Sequence, residues 1–356
     1  MTDPVPNPLQ EEALQAESLQ PAPPQPGTQK AQSPPPPTAP RRHQKLLAFG
    51  IAIAALLLVR CATSPPVREF DEITAAGHSF HTGTPVVRWD DQGGYDAYQT
   101  KKRFKDEEPA DGKLRYRKVR ADLPAALEAS VMARGFTLDE LRSVVHVFVL
   151  HFDVAGTSRQ CFKILQDVRN LSVHFLLDTD GTIYQTLDLQ EQAHHATYAN
   201  SYSIGIEIAH PGCWPRERHP DMLRWYEQDE QGWFMKFPGF LGETGIRTAG
   251  FVPRPDRNFV VSGPIHGKTY YQLDFTNEQY GALARLCATL HRVFPRIRLE
   301  APRDASGQVS TTNLSKEQMA EFEGIVGHFH VQANKQDPGP AFQWERLLQQ
   351  ARALAE

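Results

Sequence analysis

The sequence predicts an α/β domain: a central, mostly buried mixed β-sheet flanked by helices, with a long insertion before the last strand. Three observations predict it. Val144 to His151 is a nearly unbroken apolar run rich in valine, the pattern of a strand covered on both faces. Ser203 to Ala209 alternates, with Ile204, Ile206 and Ile208 on one side and Gly205 and Glu207 on the other. Segments of helical period stand between and after these runs, so strands and helices interleave along the chain.

The N-terminal part has a different character. Of the 28 prolines, 12 lie in residues 1–40, among Gln, Ala, Ser and Thr. Residues 1–45 therefore read as a disordered leader, with too little apolar surface to offset the entropy of ordering. Residues 46–60 read as a hydrophobic signal or anchor; the uncharged run Leu46 to Val59 has 14 residues, fewer than the roughly 20 that span a bilayer. Basic residues Arg41, Arg42 and Lys45 before it favour a cytoplasmic N-terminus. Cys61 directly after it resembles a bacterial lipoprotein signal, although Arg60 stands where such signals carry a small residue. As a lipoprotein or through an inner-membrane anchor, the chain is expected in the cell envelope, with everything beyond the 61–70 linker periplasmic. A formal charge of −4 and the lack of a basic patch argue against nucleic acid as a partner. The four cysteines form no CxxC pair; Cys161 and Cys213 either bridge or stay as buried thiols.

Residues 71–356 read as one folded domain. Val86 to Trp89 is a strand and 91–95 a turn. Residues 100–120, rich in both charge signs, read as a solvated loop. Leu123 to Arg134 is a helix closed by Gly135. Ser158 to Asn170 is a helix with Cys161, Phe162, Ile164, Leu165 and Val168 on one stripe. Strands Ser172 to Asp178 and Thr182 to Gln185 turn on Asp180-Gly181. An insertion follows over 212–320; its first part, 212–270, is rich in Trp, Pro and Gly and has little periodicity. Within it Thr276 and Gln279 form a capping box, and Ser315 and Gln318 a second. Gly324 to His330 is the last strand, and Phe342 to Leu354 the closing helix.

The chemistry centres on Gly327 to Gly339, where His328 and Asp337 stand nine residues apart. Imidazole nitrogen and carboxylate oxygen both suit zinc, and a catalytic zinc takes three protein ligands and one water. His151, at the C-terminal end of its strand, is the candidate third ligand. Two alternatives stay open on the residues alone: His330 in place of Asp337, or an ordinary surface turn. Glu207 is either an edge-strand charge facing solvent or a single acid on a functional face.

Taken in order, five stretches resemble the zinc-dependent N-acetylmuramoyl-L-alanine amidases of type 2, which share their fold with peptidoglycan recognition proteins. They are Val149-Leu150-His151; Leu171 to Asp178 with Asp180 to Gln185; Ala193-His194-His195-Ala196; Asn200 with Ser203 to Glu207; and Gly327-His328 with Lys335 to Pro340. The resemblance implies Zn2+ on His151, His328 and Asp337, Glu207 as catalytic carboxylate and Lys335 as the cation beside the scissile carbonyl. It implies His174, His195 and Asn200 along the substrate cleft; His194 stands where the family often has tryptophan. The implied substrate is peptidoglycan or a muropeptide, cut between N-acetylmuramic acid and L-alanine by a monomer held to the membrane through its N-terminal segment. The alternative in the same fold is a non-catalytic peptidoglycan-binding module. Segments 71–140 and 212–320 match no motif of the family.

Overall fold

The computed structural model describes residues 70–104 and 112–356. The leader, segment 46–60 and Cys61 lie outside the described residues. Among the described residues no helix is long and apolar enough to cross a membrane.

Strands β1 (Glu72–Ala75) and β2 (His78–His81) pair as a hairpin, followed by β3 (Val86–Arg88) and β4 (Tyr116–Arg117). Helix α1 (Ala125–Arg134) stops at Gly135, whose φ of 80° suits a residue without a β-carbon. Thr137 and Glu140 cap α2 (Leu138–Val144) reciprocally. Then come β5 (Val147–Phe152), α3 (Ser158–Lys163) running into a π-helical turn over Ile164–Arg169, β6 (Phe175–Leu177), β7 (Ile183–Gln185), β8 (Gln192–Ala193) and β9 (Ser203–Ile208). The insertion holds α4 (Pro220–Trp225) and the hairpins β10 (Tyr226–Asp229) with β11 (Gly232–Met235), and β12 (Val261–Ile265) with β13 (Lys268–Gln272). Both sequence-predicted capping boxes form, opening α5 (Asn277–Val293) and α6 (Lys316–Glu321). The chain closes with β14 (Gly324–Gly327), α7 (His328–Val331) and α8 (Trp344–Ala355).

The central sheet has six strands in the order β14-β5-β9-β6-β7-β3, all neighbours parallel except β6 and β7. The alternation in β9 is realised. Ile204, Ile206 and Ile208 enter the main core with Phe148, Leu150 and Phe175, covered by Leu283, Leu286 and Leu290 of α5 and Leu347 and Leu348 of α8. Each such side chain, fully buried, contributes about 1.5–3 kcal/mol. On the other face Leu176 and Tyr184 pack with Cys161, Phe162 and Leu165. Cys161 and Cys213 are buried free thiols.

Three expectations change. The 100–120 stretch is not simply a solvated loop: β4 pairs antiparallel with β8, and Arg115 and Arg120 are fully buried. Arg120 donates to the carbonyls of Leu189 at 2.8 Å and Ser203 at 3.0 Å, so its charge serves buried backbone at the 189 loop and at the start of β9. The 158–170 helix widens into a π-turn, which breaks the stripe and leaves Val168 exposed. The last strand ends at Gly327, and His328 opens a helical turn instead of continuing the strand.

Candidate active site

Parallel pairing sets His151 of β5 opposite Glu207 of β9, so both side chains leave the sheet on the face away from the isoleucines. Strand β14 lies against the other edge of β5 and delivers His328 one residue past its end. The loop after α7 folds back: Phe329 N donates to the Asp337 carbonyl at 3.1 Å, which returns Asp337 to its histidine. Gly327 leaves room for this close return, because a β-carbon there would run into Pro338 and the Asp337 carbonyl.

Three atoms converge as a result. His151 Nδ1 is 2.9 Å from His328 Nδ1, and both lie 3.0 Å from Asp337 Oδ2. All three residues are buried and form a group that could hold a metal ion. The outward nitrogens are engaged as well: His328 Nε2 is 2.8 Å from Gln332 Oε1, and His151 Nε2 is 3.0 Å from His195 Nδ1. In the tautomer whose Nε2–H donates to Gln332 Oε1, His328 turns a bare Nδ1 lone pair toward the carboxylate oxygen. A cation is what such a set of facing acceptors fits. Burial, then the neighbouring His328, hold the His151 imidazole down at about 4, in its neutral form. Burial alone would raise Asp337, but His328 and His151 hold its carboxyl well below the usual range. Neutral imidazole and ionised carboxylate are the states a divalent metal requires.

Around this centre is a cleft lined by Glu207, Lys335, Asp153, Arg169, His194 and His195 among others. Burial raises the Glu207 carboxyl well above its ordinary value, with Asp337 and Asp153 adding to the rise and Lys335 and Arg169 opposing it. A carboxyl raised in this way, beside the converging histidines and Lys335, suits general acid–base work. The Glu207 carboxylate has no hydrogen-bond partner among the described residues, so nothing in the fold occupies its oxygens.

A family model described as N-acetylmuramoyl-L-alanine amidase, Amidase_2, matches residues 141–340, more than half of the chain. The chain belongs to this family. No curated protein matches. Among solved structures, a selenomethionine derivative of AmpD is similar at 18% identity and a TM-score of 0.30, over 60% of this chain and 87% of that one. AmiD from E. coli, solved with anhydro-N-acetylmuramic acid-L-Ala-D-gamma-Glu-L-Lys, is similar at 19% identity and a TM-score of 0.33, over 58% of this chain and 57% of that one. The endolysin LysCS from Clostridium intestinale URNW stands at 14% and 0.31, over 60% of this chain and 86% of that one.

Within this amidase-family domain, the structure brings together His151, His328, Asp337, Glu207, Lys335 and His195. His174 and Asn200 do not line the cleft. The His174 ring is fully buried, accepting from Gly205 N and donating to the Glu191 carbonyl, both at 3.1 Å. Asn200 Oδ1 accepts from His195 N at 3.1 Å and Ala196 N at 2.6 Å, shaping the loop instead of facing a substrate. His330 is no rival ligand: the turn at His328 sends its ring to Gly327 N and the Ser310 carbonyl. Sequence reasoning missed Asp153, Arg169 and Gln332. Asp153 follows His151 by two, one residue past the end of β5, and lines the same cleft. Gln332 follows His328 by four, which has meaning only once α7 is known to be helical.

Proposed function

We propose that the domain is a zinc hydrolase that cleaves the amide between N-acetylmuramic acid and L-alanine in peptidoglycan or muropeptides. The observation that carries this is the convergence of His151 Nδ1, His328 Nδ1 and Asp337 Oδ2 in the cleft that Glu207 and Lys335 line, in a chain of the muramoyl-alanine amidase family. Bound to these three atoms, zinc would lower the pKa of a water to about 7 and polarise a carbonyl. The chain's own groups do the rest. Glu207 takes a proton at its carboxylate as the nucleophile forms and returns it to the alanine nitrogen as the amide breaks. The Lys335 ammonium offsets negative charge on the carbonyl oxygen in the tetrahedral intermediate. His194 and His195 wall the cleft beside them. Segment 46–60 as an anchor, or a lipid on Cys61, would hold the domain outside the inner membrane, where such a substrate is found.

Incubation of the purified protein with sacculi and with released anhydro-muropeptides, read by product mass, tests this. Free stem peptide with an unblocked L-alanine amine, together with intact glycan, is the expected product. Retention of either substrate without cleavage would replace the enzyme with a binding module.

A further inference from the structure

His195 belongs to the cleft wall, yet its contacts point inward. Its Nδ1 is 3.0 Å from His151 Nε2 and its Nε2 is 3.3 Å from Ser203 Oγ. Its ring is held on several sides. Asn200 grips the backbone of His195 and Ala196, and the His174 ring meets it edge-on at 5.8 Å between centroids. Gly205 leaves the space the ring fills: a β-carbon there would run into three of its atoms. The result is a line of hydrogen bonds from Ser203 through His195 to His151, ending at the metal-facing Nδ1.

Two proton orders fit this line, each with one proton per imidazole. In the inward order the Ser203 hydroxyl donates to His195 Nε2, His195 Nδ1–H donates to His151 Nε2, and His151 Nδ1–H donates to Asp337. In the outward order His151 Nε2–H donates to His195 Nδ1, His195 Nε2–H donates to Ser203 Oγ, and His151 Nδ1 is bare. A hydroxyl both donates and accepts, so Ser203 closes the line either way. Only the outward order leaves a lone pair for a metal.

We propose that His195 is a positioning residue that fixes His151 in the tautomer with a bare Nδ1, passing its proton order to Ser203 so that metal is taken up with no charge added to the buried line. This rests on the metal site proposed above. Without an acceptor at the Nδ1 position of His195, the metal-loaded form would bury an unpaired His151 Nε2–H. Losing such an outer partner typically costs roughly 10–100-fold in metal affinity.

The decisive comparison is His195→Asn against His195→Gln in the full chain. The two amides share chemistry and differ in reach: the asparagine oxygen falls near the Nδ1 position and serves His151, while the glutamine amide extends toward Ser203. Zinc affinity is measured by competition with a chelating dye, and the melting temperature of the zinc-free proteins checks folding. We expect His195→Asn to hold zinc about as tightly as wild type and His195→Gln to fall by roughly 10-fold or more. In the zinc-loaded wild type, two-bond 1H–15N correlations should place the His151 proton on Nε2. Equal affinities in the two variants, or a His151 proton found elsewhere, would overturn the assignment while the metal site stood. Wild type that binds no zinc would instead remove the function proposed above.

Discussion

Gln272, the last residue of β13, fills the space that a side chain on Gly339 would need. Its amide donates to the Pro338 carbonyl at 3.1 Å and accepts from Ala341 N at 2.9 Å. The insertion thus braces the loop that carries Asp337. Gln272→Leu keeps the volume and leaves two buried backbone groups unpaired, at about 1–3 kcal/mol each. A lowered melting temperature and weakened zinc retention are expected together. Unchanged zinc affinity in a destabilised variant would show that the brace serves folding alone.

Asp337→Ala should lose zinc and activity at once, because it removes one of three donors. Asp337→Cys supplies a thiolate and should regain zinc. Metal content after desalting checks both, and full zinc in the alanine variant would disprove the donor set.

Stability should carry a pH signature from Asp178. Burial pushes its carboxyl up to about 7, against the hydrogen bonds from Thr179 N and Ser158 N. A folded-state value above the unfolded one stabilises fully at low pH, below about 4, and that contribution fades as pH rises through about 7. The buried histidines His174 and His210, pushed down to about 3 and 4, act in the opposite sense below about pH 6.5. The informative quantity is therefore the difference between Asp178→Asn and wild type. In zinc-free protein that difference should move in favour of the variant between pH 5 and 8, by chemical denaturation. A pH-independent difference would remove Asp178 as its source.

Much of this was legible beforehand because periodicity reports burial. The isoleucines of β9 and the valines of β5 mark strands whose covers follow from their pattern, and Glu207 stands out as the acid on the opposite face. Where a polar residue is buried to serve backbone, the pattern is blind. Arg115 and Arg120 look like a solvated charge run and instead bind backbone carbonyls, of Gln166 in the π-helical turn and of Leu189. His174 and Asn200 carry motif positions yet act on the frame behind the cleft. The turn at His328 was hidden as well, because four apolar residues before it read equally well as a longer strand.

Membrane placement can be tested apart from chemistry. If Cys61 carries a lipid, Cys61→Ser should release the chain from membranes; if segment 46–60 anchors it, fractionation should be unchanged. Either result keeps the envelope location, and a soluble cytoplasmic full-length chain would end it.

The central claim separates metal binding from catalysis at one residue. Glu207 lines the cleft opposite His151 and is not one of the converging donors. Glu207→Gln should retain about one zinc per chain and a wild-type melting temperature while turnover of a muramoyl-peptide falls by about two to four powers of ten. Undiminished turnover in that variant, or loss of its zinc, would contradict the mechanism.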